Sequence, residues 1–268
     1  MIKTPPTKNM EGAFSVAGKN VVVTGGNTGI GYGIATAFAQ SGANVAILCR
    51  SIESGEKAAA DMRGYGVKSE FFKCDIADPA SVEATADEVC KFFGHVDVLI
   101  NNAGIGSTTE FLADKNLSEW HRIIDTNLHG VANMVHAFAP KMRDAGLGGE
   151  IINISSVGGQ RVSNQVQGHH NPPYHAAKAG VDIFTKYLAI DLGDYGIRVN
   201  CVAPGMTHSN LDKDLPEAYK ETAVRTLPTH RFGEPIEIGA LCVFLSSPAA
   251  VQITGCIHAH DGGAMCTR

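Results

Sequence analysis

Residues 19–31 read KNVVVTGGNTGIG, and this stretch decides the fold. Lys19–Thr24 is a continuous apolar, β-branched run, the pattern of a strand covered on both faces. It passes straight into Gly25-Gly26-Asn27-Thr28-Gly29-Ile30-Gly31, and a helical pattern over Ile30–Ser41 follows, with Gly42 as its stop signal. Any tight turn wants glycine, so the loop alone says little. Its setting gives it meaning. Between a strand and a helix, glycines let the backbone approach a pyrophosphate, and the helix N-terminus supplies free N–H groups and the positive end of its dipole. Gly25, Asn27, Thr28, Gly29, Ile30 and Gly31 are therefore candidate cofactor-binding residues.

Outward from this unit the same alternation repeats. Strands are expected at Asn44–Cys49, Glu70–Cys74, Val96–Ile100, Glu150–Ile154, Arg198–Val202 and Cys256–Ala259. Helices are expected near Glu53–Tyr65, from Pro79 to just before Gly94, over Ser118–Met142, Pro173–Leu192, Pro216–Val224 and Pro235–Ser246. Apolar strands separated by helices predict an α/β fold, a doubly wound parallel sheet of Rossmann-like type. No compositional break or repeat divides the chain, so one domain is expected over 18–268, preceded by an arm at 1–17 lying outside the core.

With 44% apolar and 18% charged residues, the 268-residue chain can fill one sizeable core. Its net charge of −5 offers no footprint for nucleic acid. No run of about 18 apolar residues suggests a bilayer span, and no polybasic amphipathic stretch suggests a membrane surface. The first residues, MIKTPPTKNMEGAF, lack the apolar core of a secretory signal. Seven cysteines without a C-x-x-C pair fit a reducing compartment, so a cytoplasmic location is expected.

The second strand ends at Cys49-Arg50-Ser51, and no Asp or Glu lies between Val45 and Ile52. An acidic residue here would hold the ribose 2′-hydroxyl of NAD, whereas an Arg favours the 2′-phosphate of NADP. Arg50, with Ser51 beside it, points to NADP(H); the competing reading is an ordinary solvated charge.

Tyr174 and Lys178, in YHAAK, stand four apart and so share a helix face. A phenol is a poor base near neutrality, but a neighbouring ammonium favours the phenolate. The pair could therefore trade a proton with a substrate. Ser155-Ser156 follow the strand EIINI, where a hydroxyl can stabilise charge developing on a substrate oxygen. A Tyr–Lys pair alone would more often be a half-buried phenol beside a solvated lysine. The constellation changes that reading. TGGNTGIG (24–31), NNAG (101–104), Asn127 in DTNLHG, SSVGG (155–159), YHAAK (174–178) and PG (204–205) occur in this order. Together they closely resemble the short-chain dehydrogenase/reductase family, over nearly the whole chain from Gly18 to Gly263.

The resemblance implies an oxidoreductase interconverting a secondary alcohol and a ketone. Tyr174 would be the acid/base, Lys178 would bind the nicotinamide ribose and depress the tyrosine pKa, and Ser156 would be the catalytic serine. Asn127 would hold a relay water beside Lys178. Asp75 and Ile76 would contact the adenine; Asn102, Ala103 and Gly104 would line the cofactor trough; Pro204, Gly205, Thr207 and Ser209 would lie at the nicotinamide. Subunits would pair, as a tetramer or a dimer, through the helices carrying Tyr174 and Pro235–Ser246, and a lid would span about 207–226.

Ser156 and Tyr174 are 18 positions apart, wider than the family's usual spacing. The extra length falls in Gln160–Pro173, whose Gln, Asn and His side chains either meet a polar substrate or stay in solvent. His169, His170 and His175 cluster near Tyr174, but adjacent histidines without a further ligand at suitable spacing do not make a zinc site; no metal is expected. The substrate stays open among a polyol or ketose, a hydroxysteroid or bile acid and an aromatic ketone. An acyl-carrier partner is discounted, because Lys213, Lys220 and Arg225 are offset by Asp212, Asp214, Glu217 and Glu221. The alternative in another class is a catalytically silent NADP(H)-sensing protein, against which the presence of Asn127, Ser156, Tyr174 and Lys178 argues.

Overall fold

The computed structural model describes residues 8–106, 110–162, 171–209 and 217–266. Seven strands run β1 (Asn20–Thr24), β2 (Asn44–Cys49), β3 (Ser69–Lys73), β4 (Val98–Asn101), β5 (Gly149–Ile154), β6 (Ile197–Pro204) and β7 (Ile257–His260). All pair in parallel, in the order β3-β2-β1-β4-β5-β6-β7. The helices are α1 (Gly29–Gln40), α2 (Ile52–Arg63), α3 (Pro79–Phe93), α4 (Ser118–Ile124), α5 (Gly130–Ala145), α6 (Pro172–Asp191), α7 (Glu217–Thr226) and α8 (Pro235–Leu245).

Strand side chains alternate faces, so a doubly wound sheet needs apolar residues at consecutive positions. Val21 and Val23 pack with Ile34 and Phe38 of α1, Met62 of α2 and Ile238 of α8. Val22, between them, faces the other layer, with Val82 of α3, Met134 and Phe138 of α5 and Leu188 of α6. Gly33 and Gly239 let α1 and α8 touch closely: a Cβ on Gly33 would run into Pro235. The strand order reverses between β1 and β4, and the carboxyl ends of the strands beside that switch are where such sheets bind ligands.

Three sequence expectations need adjustment. The single helix expected over Ser118–Met142 is two helices separated by a π-helical turn, Asp125–His129. The expected arm of residues 1–17 joins the core at its end: Ala13 and Val16 are buried, the Ala249 N–H donates to the Ala13 carbonyl at 2.7 Å, and Phe14 lies 6.1 Å from the Phe244 ring. Apolar side chains there gain more from covering the end of α8 than from standing in water. The expected lid falls partly on 210–216, outside the described residues, as do His169 and His170; the helix expected to stop at Val224 runs on to Thr226.

Candidate active site

The glycine loop is shaped by backbone demands. Gly25 takes a φ of +63°, a conformation side chains disfavour. A Cβ on Gly31 would collide with the Gly25 carbonyl and the Asn102 amide. Thr28 precedes α1 without a side-chain cap, which leaves first-turn N–H groups for a ligand. Thr24, buried at the end of β1, links this loop to the next. Its hydroxyl accepts from the N–H groups of Asn102 (2.9 Å) and Ala103 (3.0 Å), and its carbonyl accepts from Asn102 Nδ2 (2.9 Å). Nothing in sequence reasoning singled out Thr24, although the TGGN string contains it.

A buried ladder of two hydrogen bonds fixes the deeper half. Asn101 on β4 donates to Asn153 on β5 (2.8 Å), which donates to the Thr185 hydroxyl on α6 (2.9 Å), so strands and helix hold one register. Asn171 caps α6 and is followed by Pro172 and Pro173, leaving Tyr174 in the first turn, with its N–H 3.4 Å from the Asn171 oxygen. One turn on, Lys178 is only 4% exposed and its ammonium donates to the Ile154 carbonyl at 2.7 Å, at the carboxyl end of β5. Ser156 follows β5 and caps the short turn Val157–Gly159, accepting from the Gly158 N–H at 3.1 Å.

The π-helical turn has a local reason. Asn127, fully buried in it, spends both ends of its amide on one residue: Oδ1 accepts from the Ile105 N–H and Nδ2 donates to the Ile105 carbonyl, each at 2.8 Å. The extra residue of a π-turn swings this side chain out of the regular helical ladder, and such turns often mark functional sites. A Cβ on Gly104 would lie 3.3 Å from Asn127 Oδ1 and 3.5 Å from Lys178 Nζ, so these two polar ends converge on the Gly104 backbone.

These pieces enclose one cleft of about 560 Å³ along the strand ends. Its wall includes Gly25, Asn27, Thr28, Gly29, Ile30 and Gly31 from the first loop, and Arg50, Ser51, Asp75 and Ile76 beside β2 and β3. Asn102, Ala103, Gly104, Ser156, Tyr174, Lys178, Pro204, Gly205, Thr207 and Ser209 complete the sequence-predicted set on the same wall. Asn127 is not on it; it sits behind Ile105, which is. Ser155, the first serine of SSVGG, also lines the cleft, as do Cys49 and Cys74, which no motif reading separates from ordinary core residues. Gly205 lies so close to Asp261 that a Cβ would stand 2.8 Å from its Cα, which explains a glycine after Pro204.

Electrostatics corrects one expectation. Burial pulls Lys178 down from 10.5 to about 8, against the nearby Cys201 and Asp182, which favour its charge. Its ammonium lies 5.6 Å from the centre of the Tyr174 ring. The Tyr174 phenol is pushed up, not down: removal from water dominates, and the Ser156 hydroxyl is the group pulling the other way. The lysine donates to the Ile154 carbonyl. Arg50 at the opposite end is exposed and has no acidic partner among the described residues. Among those residues no three His, Cys, Asp or Glu side chains converge as metal ligands, and no helix is long and apolar enough to cross a membrane.

A profile described as enoyl-(acyl carrier protein) reductase matches residues 25–265. A 3-oxoacyl-[acyl-carrier-protein] reductase of Chlamydia muridarum is 39% identical over 246 residues, covering 91% of this chain and 96% of its own. The D-threitol dehydrogenase of Mycolicibacterium smegmatis is 37% identical over 251 residues, 93% of this chain and 94% of its own. The crystal structure of a gluconate 5-dehydrogenase from Burkholderia cenocepacia, in complex with NADP and tartrate, superposes with a TM-score of 0.88 at 31% identity, covering 96% of this chain and 99% of that one. Glycine loop, Tyr–Lys helix and sheet order thus occur together in a chain alike to these oxidoreductases over almost its full length, and the protein belongs to the short-chain dehydrogenase/reductase family.

Proposed function

We propose that this oxidoreductase reduces a ketone to a secondary alcohol, or runs the reverse, with NADP(H) as its cofactor. The observation that carries the proposal is the convergence of Ser156, Tyr174 and Lys178 on the cleft that begins at the glycine loop. The loop fits a dinucleotide: an uncapped helix start, and glycines packed so closely that a Cβ on Gly31 would collide with the Gly25 carbonyl and the Asn102 amide. NADPH, when bound, supplies the hydride. The protein's own groups handle the proton and the charge. Tyr174 gives its phenolic proton to the carbonyl oxygen as negative charge grows there, and the Ser156 hydroxyl donates to the same oxygen. Tyr174 lies at the start of α6, where the helix dipole favours the phenolate left behind. The Lys178 ammonium adds to that field once a ribose hydroxyl competes with the Ile154 carbonyl for it. The free lone pair of Asn127 Oδ1 can hold a relay water beside Lys178.

Arg50, exposed and without an acidic partner among the described residues, would pair with the 2′-phosphate, and Ser51 precedes α2 without a side-chain cap, leaving first-turn N–H groups beside it. The substrate class we favour is a polyol or ketose, on the likeness to a threitol and a gluconate dehydrogenase. Self-association belongs to the same reading: Ile183, Tyr187 and Ile190 are exposed along one face of α6. The test is a panel of a tetrulose, a ketohexose, a ketogluconate, a steroid ketone, an aryl ketone and an acetoacetyl thioester, followed at 340 nm with NADPH and NADH. Tyr174→Phe should lower turnover of any active pair by about a hundredfold or more while still binding NADPH. A variant that keeps wild-type turnover refutes the role of Tyr174.

A further inference from the structure

We propose that His175 is a positioning residue: its Nδ1–H on the Gly158 carbonyl holds the Val157–Gly159 turn, and with it the Ser156 hydroxyl, in register with Tyr174. The proposal rests on the reading of the site given above.

The contacts form a short chain. Ser156 Oγ accepts from the Gly158 N–H at 3.1 Å, which sets the serine rotamer and leaves the hydroxyl proton free to point into the cleft. The carbonyl of the same Gly158 meets His175 Nδ1 at 2.7 Å. A carbonyl oxygen only accepts, so Nδ1 must carry the proton. That assigns the neutral tautomer.

The glycine is part of the fit. A Cβ on Gly158 would stand 2.9 Å from His175 Cε1, 3.0 Å from Nδ1 and 3.3 Å from Ser156 Oγ. The imidazole thus lies flush against the Gly158 backbone, with no room for a side chain between ring and serine. On its other side the ring meets Tyr174 edge-on, centroids 5.9 Å apart at 77°. One side chain therefore touches both the turn that carries Ser156 and the tyrosine itself.

The wide spacing between Ser156 and Tyr174 gives this link its purpose. With 18 positions between them the connecting chain is too long to set their distance. The Asn153–Thr185 and Lys178–Ile154 bonds tie α6 to β5 itself; the turn that follows β5 is tied to α6 separately. Gly159 brings the turn's backbone onto the helix at Lys178 and Ala179, and the His175 bond sets the turn's rotation there.

The experiment uses the full chain and a readout that needs no substrate. The Ser156 hydroxyl is the group that favours the Tyr174 phenolate, so loss of its placement raises the pH at which Tyr174 ionises. That pH is read as phenolate absorbance, each protein measured against its own Tyr174→Phe counterpart. Ser156→Ala should shift the titration upward. His175→Leu should shift it in the same direction, while His175→Asn, whose Nδ2 can donate from nearly the same place, should stay at the wild-type value. In the Ser156→Ala background, His175→Leu should add nothing, because it acts through the serine. With any ketone the wild type reduces, His175→Leu should lower kcat about tenfold and His175→Asn restore it to within about threefold, NADPH affinity unchanged in both. Three results overturn the proposal: wild-type titration in His175→Leu, an equal shift in His175→Asn, or additive shifts in the double variant. If the wild type reduces none of the panel ketones, the functional reading fails, and the phenol titration still decides the role of His175.

Discussion

Replacing Lys178 by methionine should alter stability in a way that depends on pH. The ammonium is 4% exposed, and burial holds it at about 8 where an unfolded lysine titrates at 10.5. At about 1.4 kcal/mol per pKa unit, carrying that buried charge at pH 7 costs about 3 kcal/mol. Below pH 8 folded and unfolded chains both hold the proton, so the cost is constant. Between 8 and 10.5 only the unfolded chain holds it, so wild-type stability gains with pH and the cost has largely gone by 10.5. Lys178→Met removes the titration. It also removes the donor to the Ile154 carbonyl, a loss of about 1–3 kcal/mol that does not change with pH. The sign of the difference at a single pH therefore decides nothing. The change in that difference does, because every constant contribution cancels. Urea unfolding of both proteins without cofactor should show wild type gaining about 3 kcal/mol on Lys178→Met between pH 7 and pH 10.5. A difference that stays constant across that range would refute a desolvated ammonium at this position.

Two further outcomes follow from the cofactor end. Arg50→Ala should lower kcat/KM with NADPH by about tenfold to a hundredfold, the loss of a charge-assisted contact, and leave the NADH value within about threefold; equal losses with both would remove Arg50 from discrimination. Gly31→Ala places a methyl group against the Gly25 carbonyl and the Asn102 amide, so NADPH affinity by fluorescence titration should fall about a hundredfold or more, and unchanged affinity would refute the cradle.

The fold was legible because its signals are local and repeated. Val21, Val22 and Val23 declare a strand with two covered faces, and the sheet buries Val22 in one layer and its neighbours in the other. The site was legible where backbone geometry demands a residue type: Gly31 under the Asn102 amide, Gly205 against Asp261. It was not legible where a side chain acts through a contact distant in sequence. The π-turn at Asp125–His129 lies in a stretch whose helical pattern is unbroken, because its cause is a pair of bonds from Asn127 to Ile105, 22 positions earlier. Thr24 looks like the last residue of a strand, and its role is set by the N–H groups of Asn102 and Ala103.

The tyrosine shows where spacing stops being chemistry. Four residues along a helix put Lys178 on the face of Tyr174, and that is all the spacing guarantees. Whether the ammonium lowers the phenol depends on distance and burial as well, and here it stands 5.6 Å from the ring centre, held at 2.7 Å by the Ile154 carbonyl. Burial then acts on both groups in the same sense, favouring the neutral phenol and the neutral amine. Below about pH 8 the amine still carries its proton, and the phenol keeps its own, which suits donation to a carbonyl oxygen. Abstraction of a proton from an alcohol needs the charged state instead. A ribose hydroxyl that draws the ammonium toward the cleft would supply it. Cofactor binding should therefore lower the pH at which Tyr174 ionises, and the reducing direction should be less dependent on alkaline pH than the oxidising one.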